Sequence, residues 1–184
     1  MRVIAGKFKG RQLKMPRGSK LRPTSEKVKE ALFNILGEKI SGASFLELFA
    51  GSGNIGIEAV SRGAQTVILV DNNPRCIKTI EATLRRIGAY AELLAFNAER
   101  AVKMLHQKKR KFDFVFLDPP YYEDKLKNCL IKICHYDILK PHSLVIAEHN
   151  KRQASPDLFP KLKLLFAKKY GDTILSFYQK RVEK

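Results

Sequence analysis

Phe45-Leu-Glu-Leu-Phe-Ala-Gly-Ser-Gly-Asn-Ile-Gly56 is the stretch whose reading decides the fold. It opens as an apolar strand and passes into a turn where Gly51, Gly53 and Gly56 satisfy G-x-G-x-x-G. A helix pattern follows from Asn54 to Arg62, and a second apolar strand runs from Thr66 to Val70. Asp71 ends that strand, where a carboxylate can hold two ribose hydroxyls. On its own the turn fits several nucleotide cofactors, or is a tight strand-to-helix connection without a ligand.

Outward from this stretch the chain keeps alternating. Strands are expected at Ser44 to Phe49, Thr66 to Val70, Ala91 to Phe96, Phe112 to Leu117 and Ser143 to Glu148. Helices are expected at Asn54 to Arg62, Pro74 to Ile87, Ala98 to His106 and Asp124 to His135. Lys161 to Lys168 and Thr173 to Gln179 form a terminal hairpin. The alternation predicts an α/β fold, with a mostly parallel sheet covered on both faces and ligands at the carboxyl ends of its strands. Upstream, Val28, Ala31, Leu32, Ile35 and Leu36 follow helical spacing after a cap at Thr24 or Ser25. Before them, Val3 to Ala5 and Arg11 to Met15 read as a short basic β-hairpin. The organisation expected is an arm over residues 1–23 and one main domain over 24–184.

Glu47 discriminates between cofactors. It lies in the strand, four residues before Gly51. A dinucleotide pyrophosphate seeks helix-terminal N–H groups without an adjacent anion. S-adenosyl-L-methionine has no phosphate and carries an ammonium group and a sulfonium, which a carboxylate suits. The turn therefore favours S-adenosyl-L-methionine over NAD.

Asp118-Pro-Pro-Tyr121, closing the fourth strand, is the most specific signal. Two prolines stiffen the loop and remove two donors, leaving carbonyls, one carboxylate and an aromatic ring. Methylation of a nucleobase amine needs such groups. Acceptors at Asp118 and Pro119 bind the two amine hydrogens and favour a pyramidal nitrogen, and Asp118 or water then takes the proton. Pro120 holds the loop, Tyr121 stacks on an extruded base, and Tyr122 assists.

The chain has 184 residues and a net charge of +17. Its 29% charged and 45% hydrophobic content is that of a globular domain, which excludes disorder as the main description. Residues 1–30 hold ten Lys or Arg and two Glu, a net +8, whereas residues 31–70 sum to −1. Such a skew indicates a polyanion-binding surface. Cys76, Cys129 and Cys134 include no C-x-x-C pair, and the four histidines have no metal-ligand spacing. The expectation is a soluble cytoplasmic monomer with reduced thiols, no metal and no membrane span. Phe8 in the basic turn either stacks on RNA or packs on the domain.

From Ser44 to Glu148 these features resemble a class I S-adenosylmethionine-dependent, amino-methylating methyltransferase. Val3-Ile-Ala-Gly-Lys-Phe-Lys-Gly-Arg-Gln-Leu13, Leu21-Arg-Pro-Thr24 and Val28-Lys-Glu-Ala-Leu-Phe-Asn34 closely resemble bacterial 16S ribosomal RNA guanine-N2 methyltransferases, extending the likeness over nearly the whole chain. The resemblance implies a Rossmann-like seven-stranded sheet with a reversed last strand. It also implies methyl transfer to N2 of a guanine in the rRNA of an assembling small subunit. Its cofactor contacts fall on Glu47, Phe49, Ala50, Gly51, Ser52, Gly53, Asp71, Asn72, Asn97, Ala98 and Asp118. Asn97 stands where the family usually has an aspartate at the adenine amine, and its amide oxygen can accept the same hydrogen bond. Lys7, Lys9, Arg11, Arg22, Thr24 and Tyr122 are the candidate RNA contacts, with Arg22 on a phosphate or closing the cofactor pocket. The competing readings are adenine-N6 methylation, a nicotinamide oxidoreductase, and a non-catalytic RNA-binding assembly factor.

Overall fold

The computed structural model describes residues 1–16, 23–120, 125–152, 159 and 161–181. Two compact units make up the chain, Met1–Asn97 and Ala98–Lys184.

In the first unit, helix α1 (Glu26–Leu36) starts where the Ser25 hydroxyl accepts the Val28 N–H and stops at Gly37. Its buried side is Val28, Lys29, Leu32, Phe33 and Leu36, while Ala31 and Ile35 are half-buried. The face is rotated from the expected one because Lys29 reaches Glu58 and Phe33 packs between Phe45 and the Arg62 guanidinium. Strands β1 (Ser44–Leu48), β2 (Thr66–Val70) and β3 (Glu92–Leu94) follow, with helices α2 (Asn54–Ser61) and α3 (Pro74–Ile87) between them. The strands are parallel, in the order β3-β2-β1. Phe45, Leu46, Leu48, Ile68, Leu69 and Val70 are fully buried, as in a sheet covered on both faces. Helix α3 has Asn73 as N-cap, Pro74 in its first turn and a left-handed Gly88 behind it.

The N-terminal arm differs from the expected hairpin. Arg2 and Gln12 form a single antiparallel bridge, and no strand develops on either side. The cause is competition for donors. Val3 N–H reaches the Arg11 carbonyl and Leu13 N–H the Met1 carbonyl, but the Ala5 N–H, next on the pairing side, goes to the Glu58 carboxylate of α2 at 3.0 Å, as does the outward-facing Ile4 N–H at 2.9 Å. Val3 and Leu13 are buried, so residues 1–16 belong to the first compact unit. Gly6 makes the closest approach. At φ +80, a Cβ there would stand 1.9 Å from the Ser61 carbonyl oxygen.

The second unit runs α4 (Ala98–Gln107), β4 (Phe112–Leu117), α5 (Lys125–His135), β5 (Leu139–Asn150), β6 (Leu162–Tyr170) and β7 (Thr173–Lys180). Strand β4 is parallel to β5, and β7 is antiparallel to both β5 and β6, in the order β4-β5-β7-β6. Strand β5 begins at Leu139, earlier than the pattern predicts. Leu139 pairs with Phe112 and Leu144 with Phe114, so residues 140–143, with Pro141, bulge between the two pairings. The Asp137 carboxylate takes Lys111 and Lys180, which hold its pKa down at about 2. Edge strand β6 exposes Leu165 and Phe166 among Lys163, Lys168 and Lys169, and Phe166 stacks on Phe177 with ring centroids 4.7 Å apart.

Seven strands are therefore present among the described residues, and β7 alone runs against its neighbours, as expected for the reversed last strand. The three cysteines are free and buried. Among the described residues no helix is long and apolar enough to cross a membrane.

Candidate functional site

The Gly-rich turn follows β1 and Asp71 follows β2, so both stand at carboxyl ends of parallel strands. Backbone bonds shape the turn: Ala50 N–H donates to the Val70 carbonyl at 2.9 Å and Gly53 N–H to the Ala50 carbonyl at 2.7 Å. Asp71 closes it. One carboxylate oxygen accepts the Gly51 N–H at 2.7 Å and the other accepts the Asn73 N–H at 2.8 Å. The Cys76 thiol also hydrogen-bonds this carboxylate, which still has acceptor capacity for a further donor. Phe49, at φ 63, enters the turn in a left-handed conformation that costs a non-glycine residue about 1–3 kcal/mol. Ser52 is buried and Asn72 is exposed beside Asp71.

Glu47 lies wholly beneath the turn. Its Oε2 accepts the Gly56 N–H at 2.8 Å, tying β1 to the first turn of α2. Burial pushes its carboxyl up to about 8, against the pull of the Gly56 and Ile55 N–H groups. At neutral pH it is largely the uncharged acid, and a cation brought beside it would ionise it. Gly56 permits this fit: a Cβ there would lie 2.0 Å from Leu69 Cδ2 and 2.8 Å from Glu47 Oε2.

On the arm, Lys7, Lys9 and Arg11 are exposed. Phe8 is buried and donates its N–H to Ser61 Oγ at 2.9 Å, so of its two readings it takes packing. Thr24 is buried, and its carbonyl accepts from Asn54 Nδ2 at 3.0 Å. Asn97 is exposed, and the buried Ala98 begins α4. In the second unit Asp118 leaves the carboxyl end of β4 half-buried, followed by buried Pro119 and exposed Pro120. Arg22, Tyr121 and Tyr122 lie outside the described residues. No group of His, Cys, Asp or Glu that could hold a metal occurs among the described residues.

Sequence reading missed Lys29, Asn54 and Glu58, which are buried together. Their signal was a lysine at helical spacing with Leu32, Phe33 and Leu36, and a glutamate flanked by Ile57 and Ala59. A charge on an apolar helix face requires a buried partner.

Comparison with known proteins completes the assignment. The family model "Conserved hypothetical protein 95" matches residues 1–179. The chain is 40% identical to YlbH of Bacillus subtilis, over 98% of this chain and 100% of that protein. It is 30% identical to ribosomal RNA small subunit methyltransferase D of Escherichia coli K12, over 100% of this chain and 91% of that protein. The solved structure of yhhF from Escherichia coli superposes with a TM-score of 0.86 at 30% identity, covering 100% of this chain and 99% of that one. A Thermus thermophilus 16S rRNA N2 methyltransferase, solved with AdoMet and guanosine, shares the fold at a TM-score of 0.71 and 20% identity, over 90% of this chain and 45% of that one. The strand order, the glycine turn under Asp71 and matches spanning nearly every residue lead to one assignment: the chain belongs to the ribosomal RNA small subunit methyltransferase D family, with the class I methyltransferase fold.

Proposed function

We propose that the chain transfers the methyl group of S-adenosyl-L-methionine to the exocyclic N2 of a guanine in 16S rRNA of the assembling small subunit, working as a cytoplasmic monomer. The Asp118-Pro119-Pro120 loop at the carboxyl end of β4 is the observation that carries this reading.

The residues of the glycine turn fit the cofactor's chemistry. Asp71 offers acceptors for ribose hydroxyls, the Phe49 to Gly53 backbone forms a close-approach turn, and Glu47 is a buried acid that a cation would ionise. Glu47, Phe49, Ala50, Gly51, Ser52, Gly53, Asp71, Asn72, Asn97, Ala98 and Asp118 would hold it. When bound, the cofactor supplies an electrophilic methyl on a positive sulfur. The rest falls to the protein. The Asp118 carboxylate and the Pro119 carbonyl accept the two hydrogens of the guanine amine, turning its lone pair out of conjugation. Asp118 or water then takes the proton. Pro120 fixes the loop and Tyr121 stacks on the base, with Tyr122 assisting. Lys7, Lys9, Arg11, Arg22 and Thr24 contact the RNA, with Arg22 on a phosphate or closing the cofactor pocket.

The test supplies labelled S-adenosyl-L-methionine with unmodified small subunits, naked 16S rRNA and DNA in parallel, followed by nucleoside analysis. N2-methylguanosine from the small subunit is expected. Label on adenine, or in DNA alone, overturns the reading.

A further inference from the structure

Helix α2 is bonded to the arm along its length, and one buried ammonium stands where the arm meets the glycine turn. Lys29 Nζ, with no side-chain exposure, reaches three acceptors: the Arg2 carbonyl at 2.7 Å, Asn54 Oδ1 at 2.8 Å and Glu58 Oε2 at 3.2 Å. An ammonium has three protons, and each has a partner here. The acceptors belong to different parts of the unit. Arg2 is in the arm, Asn54 is the first residue of α2 directly behind Gly53, and Glu58 is one turn further on. Asn54 also donates to the carbonyl of Thr24, two residues from Arg22. At the far end of α2, Ser61 Oγ donates to the Ala5 carbonyl at 2.5 Å, and Lys7 N–H donates to the Ser61 carbonyl at 2.8 Å. At the near end Ser52 Oγ donates to Met1 Sδ at 3.5 Å.

The charges in this cluster do not balance. Glu58 is shared by two cations, Lys29 and Arg62, the latter at 2.9 Å, and it also accepts two arm N–H groups. Arg62 and those N–H groups would satisfy the carboxylate without Lys29. A buried ion pair is in general poor evidence for stability and better evidence for fixing geometry. Lys29 supplies a specific geometry, the simultaneous hold on the arm, Asn54 and Glu58. The turn it supports contains the left-handed Phe49, a conformation that persists only where its surroundings impose it.

We infer that Lys29, with Asn54 and Glu58, is a positioning centre that couples RNA docking on the arm to cofactor binding at the glycine turn. The inference rests on the RNA-methylating function proposed above. RNA phosphates held at Lys7, Lys9 and Arg11 keep the arm seated on α2, and the seated arm shares its bonds with Ser52 and Asn54 of the turn. By linkage, RNA and cofactor then strengthen each other's binding by the same factor.

The experiment measures binding of labelled S-adenosylhomocysteine by equilibrium dialysis, with and without saturating unmodified small subunits. It is done for wild type, Lys29→Met and Ser61→Ala, with thermal melts of each. In wild type the subunits should tighten binding about fivefold or more, the lower range of allosteric coupling. In both variants the ratio should fall towards one. Should Lys29→Met fail to fold, Ser61→Ala carries the test, since it removes two of the arm's bonds to α2, those of Ser61 Oγ with the Ala5 carbonyl and the Phe8 N–H, without removing a charge. A ratio of one in wild type, or the full wild-type ratio in the folded variants, overturns the coupling. Wild type that methylates subunits yet shows no ratio refutes the coupling alone. Wild type that methylates no RNA refutes the function on which it rests.

Discussion

Replacing Glu47 by Gln tests the buried acid under the glycine turn. The amide keeps an oxygen to accept the Gly56 N–H but has no proton to lose. The folded carboxyl titrates at about 8, against 4.5 for the ordinary side chain. Between those values the native protein holds a proton that the unfolded chain has released. Stability therefore falls as pH rises through that window, by up to about 1.4 kcal/mol per pH unit and about 5 kcal/mol in all. Below pH 4.5 the contribution is fully present, and above about 8 it is lost. Urea denaturation from pH 5 to 9 should show wild type losing stability relative to Glu47→Gln until about pH 8, then running parallel to it. Curves parallel over the whole range would refute the buried-acid account. A second signature concerns the cofactor. If its positive groups ionise Glu47, calorimetry at pH 7 in buffers of different ionisation enthalpy will register proton release in wild type and none in the variant.

Asp118→Ala should lower methyl transfer by about 10²–10⁴-fold while sparing S-adenosylhomocysteine affinity, measured by single-turnover kinetics and calorimetry. Replacing Lys7 and Lys9 with Ala should flatten the dependence of RNA affinity on log salt by about 0.7–0.9 for each phosphate no longer neutralised, and an unchanged slope would remove these lysines from the interface. Gly6→Ala puts a methyl group against the Ser61 carbonyl at a positive φ. It should cost about 2–3 kcal/mol, seen as a lower melting temperature, with protease cleavage appearing within residues 1–16. Burial pushes Cys76 up to about 11 and Cys129 up to about 12, so native protein at pH 8 should label with thiol reagents far more slowly than denatured protein.

The sheet was legible because its strands are short apolar runs between well-signalled helix starts, such as Asn73-Pro74 before α3. The glycine turn and the Asp118 loop were legible because glycine and proline constrain the backbone directly. The arm was harder. Val3 to Ala5 does have strand composition, but the carboxylate that takes its donors lies more than fifty residues away, on α2. Non-local pairing also hid Lys29, whose charge reads as solvent-facing until Asn54, Glu58 and Arg2 are brought around it. Glu47 was found by its position in β1, but its protonation depends on complete burial, which local sequence does not encode. The early start of β5 was concealed by Pro141, which interrupts the strand pattern without ending the strand.

Among the described residues, strand β6 leaves one side of its backbone ladder open, with Leu165 and Phe166 at the surface. An open ladder of this kind templates the addition of a foreign strand, and exposed apolar side chains would strengthen the match. Lys163, Lys168 and Lys169 work against that, because a second copy stacking in register would bring ammonium groups together. At this rim, three amines are what oppose self-association. Acetylating them turns a solvated rim into an adhesive one, and fibrillar or amorphous self-association should begin there while the fold is still intact.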